Sequence, residues 1–300
     1  MRVHLVDGTY ELFRAHFSQR PPKAVQLETG PMDVKATTGL VFSMLTLLAD
    51  RDEAVTHLAI AFDNPIVSFR NDLFDGYKTD EGVPPSLHAQ FDLAELAMKA
   101  LGIVVWSMDR WEADDALATG ATRFGADPAV EQVRIMTPDK DLGQVVRGTR
   151  VVQVDRMRRK LYDEAAVIAS KGVEPRSIPD LLGLVGDTSD GIPGLAGFGM
   201  KSAAALLMRY KTIEAIPDDP TKWDVKVTGA PRLGATLAAE REDALLYKKL
   251  ATLVTDVPLA ESLDDLRFRG VPRESFELLA KQLESSDLKS RVLRWREASA

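Results

Sequence analysis

Three short apolar runs each give way to an acid. Arg2-Val3-His4-Leu5-Val6 leads to Asp7, His57-Leu58-Ala59-Ile60-Ala61-Phe62 to Asp63, and residues 132–136 to Asp139. Runs of five or six mainly aliphatic residues, bounded in this way, read as strands buried within a sheet. Further strands are expected at 103–106 and 151–154. Helical spacing fills the gaps: Tyr10, Phe13, Arg14 and Phe17; the strongly apolar 38–48; an amphipathic 87–101; and a helix opened by Glu112. Alternating strands and helices predict an α/β fold, a mainly parallel central sheet flanked by helices. Its functional edge lies outside the carboxyl ends of the strands.

The pattern changes at Asp163. Helices are expected at 164–171, 178–184 and 201–208, near 237–253, and through the tail from 274 to 295. Residues 217–231 read as an irregular surface loop. The expected division is an α/β core over 1–162 and a helical region over 163–300, without internal repeats.

Composition narrows the chemistry. There is no cysteine, so disulfides and thiolate metal sites are excluded. His4, His16, His57 and His88 are scattered without metal-ligand spacing, so any metal would be held mainly by oxygen. No apolar run approaches the ~20 residues of a membrane span, and the first residues lack the pattern of a signal peptide. Cytoplasmic location and no membrane partner are the expectation.

The acids recur in groups: Asp7; Asp63; Glu112-Ala113-Asp114-Asp115; Asp139-Lys140-Asp141; and the pair Asp187 and Asp190. Any one alone reads as a helix N-cap or a solvated loop carboxylate. Converging on one sheet edge, nine carboxylates would repel and raise their own pKa values unless cations neutralised them. Hard oxygen donors suggest Mg²⁺ or Mn²⁺, and two such ions suit attack on a phosphodiester. Setting these nine aside from 45 acidic residues leaves 36 against 38 basic ones, so the net charge of −7 does not argue against DNA.

The ordered motifs Asp7-Gly8, Phe62-Asp63, Glu112-Ala113-Asp114-Asp115, Thr137-Pro138-Asp139-Lys140-Asp141 and Gly186-Asp187-Thr188-Ser189-Asp190 resemble the bacterial 5′→3′ exonuclease and flap endonuclease family. That family includes the N-terminal nuclease domain of DNA polymerase I. The resemblance runs from Arg2 to about Pro258. No polymerase segment follows, which suggests a stand-alone form. It implies a PIN-like nuclease core, a short arch near 70–90 and a helix-three-turn-helix at about 178–210. The implied activity is a structure-specific 5′ nuclease, with 5′-3′ exonuclease and 5′-flap endonuclease action in DNA replication or repair. In the family, positions matching Asp7, Asp63, Glu112 and Asp114 serve one ion. Those matching Asp115, Asp139, Asp141, Asp187 and Asp190 serve the second. The implied partners are flapped, nicked or branched DNA and a DNA polymerase acting in trans, with the protein a monomer. The alternatives are a DNA-binding relative with weak cleavage, a PIN-like ribonuclease, and a nucleotide-binding enzyme built on the glycine loop.

The match extends to Phe69-Arg70 and Gly76-Tyr77-Lys78. Arg70 and Lys78 are placed to meet a scissile phosphate, with Lys78 stabilising transition-state charge, and Tyr77 to stack on a base. The chain departs from the family at Thr79-Asp80-Glu81-Gly82-Val83-Pro84-Pro85, acidic where a cation is usual. It departs again at Gly191, where the family usually has asparagine.

In the stretch 186–202, the spacing of Gly194, Gly197 and Gly199 before Lys201-Ser202 fits neither a P-loop nor a dinucleotide fingerprint. It reads instead as a backbone-phosphate contact between helices, with Lys201 and Ser202 at a helix start. By resemblance, a K⁺ ion sits on the carbonyls there. Asp187 and Asp190, three apart, are expected to share the face of a helical turn.

Overall fold

The computed structural model describes residues 1–27 and 30–297. The chain forms two compact units that interleave along the sequence: Met1–Ile66, Asp80–Thr137 and Thr255–Ala300 make one, and Val67–Thr79 with Pro138–Val254 the other. Position 162/163 lies inside the second unit. The C-terminal segment returns to the first because it adds backbone bonds beside the strand at His57: Leu58 N donates to Leu266 O at 2.8 Å and Phe268 N to Thr56 O at 3.0 Å.

The first unit contains β1 (Arg2–Asp7), α1 (Gly8–His16), β2 (Ala24–Leu27), β3 (Gly30–Asp33), α2 (Lys35–Ala49), β4 (His57–Asp63), α3 (Pro85–His88), α4 (Phe91–Ala100), β5 (Val104–Met108), α5 (Ala113–Gly125) and β6 (Gln132–Met136). Its sheet runs β5-β4-β1-β6, all parallel, and β2 and β3 form a separate antiparallel pair. Val3, Leu5, Val6, Leu58, Ile60, Phe62, Val133 and Ile135 are buried, which accounts for the near-continuous apolar runs. Order reverses at β1: the chain proceeds through β4 to β5 on one side, then crosses to β6 on the other. Asp7 therefore ends the strand at the switch point, where open α/β sheets bind ligands.

The single helix expected over 87–101 is two helices, α3 and α4. Gln90 interrupts it: its buried amide accepts from Thr37 N at 3.0 Å and Thr37 Oγ1 at 3.2 Å, and donates to Ser86 O at 2.8 Å. A satisfied buried amide outweighs one more turn of helix.

The second unit contains the antiparallel pair β7 (Val151–Asp155) and β8 (Lys160–Tyr162), then α6 (Glu164–Lys171), α7 (Ile178–Val185), α8 (Met200–Tyr210), α9 (Ala230–Ala239) and α10 (Arg241–Ala251). Ile178, Leu181, Leu184, Leu206, Leu207, Leu237 and Leu250 fill its core. The backbones of α7 and α10 approach so closely that a Cβ on Gly183 would lie 2.7 Å from Ala244 O. The helix expected near 237–253 breaks at Glu240, where Arg241 turns its guanidinium to Ile213 O at 2.6 Å and Ile216 O at 2.8 Å. The segment read as a loop contributes the first residues of α9. The tail expected as helix over 274–295 is helical only at Arg273–Gln282. Glu284 then takes φ +47° and a 3₁₀ turn follows at Ser286–Arg291.

Candidate functional site

In the first unit, Asp7, Asp63 and Glu112 occupy the carboxyl edge of the sheet. Asp7 is register partner of Ala61, which sets Asp63 two residues further along the neighbouring strand. Each of the two aspartates also organises the backbone beyond its strand. Asp7 Oδ1 accepts from Tyr10 N at 2.8 Å as N-cap of α1, and its Oδ2 accepts from Thr137 Oγ1 at 2.9 Å. Asp63 Oδ1 accepts from Ala113 N at 2.7 Å, the first residue of α5. Glu112 caps that helix, and its own N–H donates to Asp115 Oδ2 at 3.0 Å. Asp115 is fully buried, whereas Asp114 on the next position is partly exposed. The capping role and the acidic edge are thus features of the same residues.

The second unit gathers Asp139, Asp141, Asp187 and Asp190 with two lysines. Asp139 Oδ1 accepts from Asp141 N at 2.8 Å, closing a 3₁₀ turn that turns Asp141 inward. Lys140 Nζ donates to Asp187 Oδ2 and stands 3.7 Å from Asp141 Oδ1. That Asp141 oxygen is buried and has no hydrogen-bond partner among the described residues. Burial first, then Asp139, push Asp141 up to about 7, against the pull of Lys140. Lys140 is itself raised: burial opposes its charge, but Asp141, Asp187 and Asp139 together outweigh it. Lys140 faces three acids, while Asp141 faces Lys140 and Lys171 against Asp139, Asp187 and Asp190. Asp187 is lowered against its own burial, by the bonds from Lys140 and from Ser189 N at 2.9 Å.

Asp187 and Asp190 do not share a helical face. Residues 187–192 form a turn closed by Asp187 N to Ile192 O and Ile192 N to Asp187 O, both 2.8 Å. The two carboxylates meet different lysines, Asp190 Oδ1 lying 3.0 Å from Lys78 Nζ. Gly191, the departure from the family pattern, has φ +74°, and a Cβ there would stand 2.1 Å from Gly76 O. Close backbone passage accounts for the glycine.

Two expected residues are placed otherwise. Arg70 is 1% exposed, and its guanidinium donates to Leu250 O at 2.8 Å and Thr252 O at 3.0 Å, satisfying carbonyls at the end of α10. Tyr77 is 4% exposed in the apolar core and presents no face for a base, because the core needs its ring. Lys78 beside it is partly exposed.

In the glycine loop, Gly194 has φ +69° and packs on the end of α7, where a Cβ would be 2.4 Å from Gly186 N. Gly197 and Gly199 are exposed, with Gly199 as the N-cap of α8. Ser202 Oγ accepts from Gly199 N at 3.1 Å and donates to Gly199 O at 2.9 Å, while Lys201 is exposed.

Lys140 and Lys171 escape the sequence reading. Lys140 has a local signal, since it lies between two expected ligands. Lys171 has none; burial lowers it although Asp141 draws it upward, at the end of α6. Among the described residues, no three His, Asp or Glu side chains close round one point as a finished metal cage. Nor is any helix there long and apolar enough to cross a membrane.

Comparison with known proteins bears on both units. Residues 2–172 match the model of the 5′-3′ exonuclease N-terminal resolvase-like domain, and residues 173–274 that of the 5′-3′ exonuclease C-terminal SAM fold. The 5′-3′ exonuclease of Aquifex aeolicus is 29% identical, over 96% of this chain and 93% of its own. DNA polymerase I of Bacillus caldotenax is 33% identical over 94% of this chain but only 31% of that protein; the chain spans about a third of such polymerase relatives. Among solved structures, the bacteriophage T5 D15 flap endonuclease, in a pseudo-enzyme-product complex with DNA and metal ions, superimposes with TM-score 0.64 at 18% identity. The match covers 95% of this chain and 100% of that one. The likeness in structure is one of fold; the family models, which together cover nearly the whole chain, carry the assignment: this chain belongs to the 5′-3′ exonuclease family.

Proposed function

We propose that this protein is a structure-specific 5′ nuclease that hydrolyses DNA phosphodiesters, as a 5′-3′ exonuclease and 5′-flap endonuclease, with two Mg²⁺ or Mn²⁺ ions. The observation that carries the reading is Asp141 Oδ1: a buried carboxylate oxygen without a hydrogen-bond partner, set among Asp139, Asp187 and Lys140. A buried carboxyl oxygen without a hydrogen-bond partner, in an all-oxygen donor set, fits a hard divalent cation.

Asp139, Asp141, Asp187 and Asp190 would hold one ion, and Asp7, Asp63, Glu112 and Asp114 the other. When bound, such ions activate water and stabilise the leaving oxygen. The chain's own residues supply the rest. Asp115 fixes the turn that carries Glu112 through its bond to Glu112 N. Lys78, partly exposed and braced by Asp190, would offer its ammonium to charge developing on the phosphate. Arg70 is assigned a structural role at α10, and Tyr77 a role in the core. Lys201 and the exposed backbone at Gly197 and Gly199 would contact the duplex backbone, which requires no reading of sequence. K⁺ in that loop and a polymerase acting in trans complete the proposal.

The test is a panel of labelled substrates with purified protein in Mg²⁺ or Mn²⁺: 5′-flap DNA, nicked duplex, single-stranded RNA and ATP. Release of the 5′ flap, with RNA and ATP left intact, is expected. Preferential RNA cleavage would replace this reading with a ribonuclease, and no cleavage of flap DNA in either metal would overturn it.

A further inference from the structure

The turn joining β7 to β8 reads Arg156-Met157-Arg158-Arg159-Lys160, four cations in five residues of a chain with net charge −7. It lies apart in sequence from the acidic groups and from the glycine loop. Asp155 and Lys160 are register partners, so residues 156–159 form a four-residue hairpin loop. Asp155 shapes that loop. It is 3% exposed, its Oδ1 accepts from Arg158 N at 2.9 Å, and its Oδ2 pairs with Arg158 Nη1 at 3.1 Å. The carboxylate at the base of the turn is therefore engaged in holding the turn's geometry. Residues 157–160 remain exposed, and Arg158 is three-quarters exposed despite its pairing.

Arg159 adds an independent sign. Its φ is +50°, in the left-handed region where glycine or asparagine costs less. The arginine at that position puts a cation in the loop at a backbone conformation that L side chains rarely adopt. Protection of an exposed strand edge does not account for the cluster, because that device puts charge on the strand itself. Here Arg156, Arg158 and Arg159 lie on the loop and only Lys160 lies on β8. Arginine's planar fork matches phosphate oxygens, and cation-rich segments of this length are a recognised form of nucleic-acid contact.

We infer that the β7–β8 turn is a second contact for the sugar-phosphate backbone of duplex DNA, additional to the loop at 197–202. The inference rests on the nuclease reading above.

The experiment measures anisotropy of a fluorescein-labelled nicked duplex, in EDTA, with the full chain between about 50 and 200 mM salt. The variant Arg159→Asn/Lys160→Gln keeps a residue that tolerates the left-handed conformation, so the turn is retained. Each phosphate contact contributes about 0.9 to the slope of log affinity against log salt. The variant should lose close to 2 from that slope and bind about tenfold more weakly at the higher salt. Lys160→Gln alone should lose about half of the slope change. A wild type that shares slope and affinity with the double variant here, yet releases the 5′ flap in the Mg²⁺ panel above, would overturn the turn contact alone. A wild type that neither binds the duplex nor cuts the flap would overturn both the contact and the nuclease reading.

Discussion

Lys78 is held to Asp190 twice: its backbone N–H donates to Asp190 O at 3.0 Å, and its ammonium lies 3.0 Å from Asp190 Oδ1. A candidate catalytic cation is thereby tied to a candidate metal ligand 112 positions away in the chain. Replacing it by alanine should lower the single-turnover rate of flap cleavage by about 10²-fold or more, in the range seen when one electrostatic donor is removed. Duplex affinity should fall far less. Wild-type cleavage by Lys78→Ala would remove Lys78 from the chemistry.

Arg70 gives the opposite expectation. Its guanidinium satisfies carbonyls at the end of α10, so Arg70→Ala leaves buried acceptors without their donor. A stability loss of about 2–4 kcal/mol is expected in urea unfolding. The cleavage rate per folded molecule should stay within a few-fold of wild type. Normal stability with lost cleavage would return Arg70 to the active site.

Gly191 separates backbone packing from family habit. Restoring the usual residue, as Gly191→Asn, suits the φ of +74° but brings a Cβ to 2.1 Å from Gly76 O. Destabilisation by about 1–3 kcal/mol is expected, as for other overpacked sites. A variant as stable as the wild type would show that the 76–78 and 190–191 segments part readily.

Asp141 sets a pH dependence. Burial and Asp139 raise it from 3.8 to about 7 in the folded protein. Its bound proton favours the folded form at low pH, and that advantage is lost as pH rises from about 3.8 through about 7. In EDTA, Asp141→Asn should therefore gain stability relative to wild type as pH is raised from 5 to about 8, by an amount on the order of a few kcal/mol at the upper end. The same variant should bind Mn²⁺ more weakly, read by electron paramagnetic resonance of the free ion. A stability difference that does not change with pH would contradict the raised value.

The strand-then-acid pattern made the parallel sheet legible, since β1 and β4 carry their burial in consecutive residues. The acids at strand ends were legible for the same reason: position in the sheet fixes them. What local pattern could not supply was long-range competition. Gln90 breaks a helix because Thr37 offers a better partner for its amide, and Arg241 breaks another by reaching Ile213 and Ile216. Tyr77 resembled a stacking residue because spacing does not disclose burial. Lys171 reaches the neighbourhood of Asp141 only through the path of α6, for which no short motif exists.

Divalent-ion hydrolysis of a 5′ flap by these carboxylates is the activity proposed for the chain. Its most direct measurement is the single-turnover rate of labelled 5′-flap release across a Mg²⁺ titration, for wild type, Asp63→Ala and Asp139→Ala. The expected rate rises with Mg²⁺ for wild type and is abolished in both variants, while each variant still binds the flap duplex. Release that is independent of Mg²⁺, or undiminished in either variant, would contradict it.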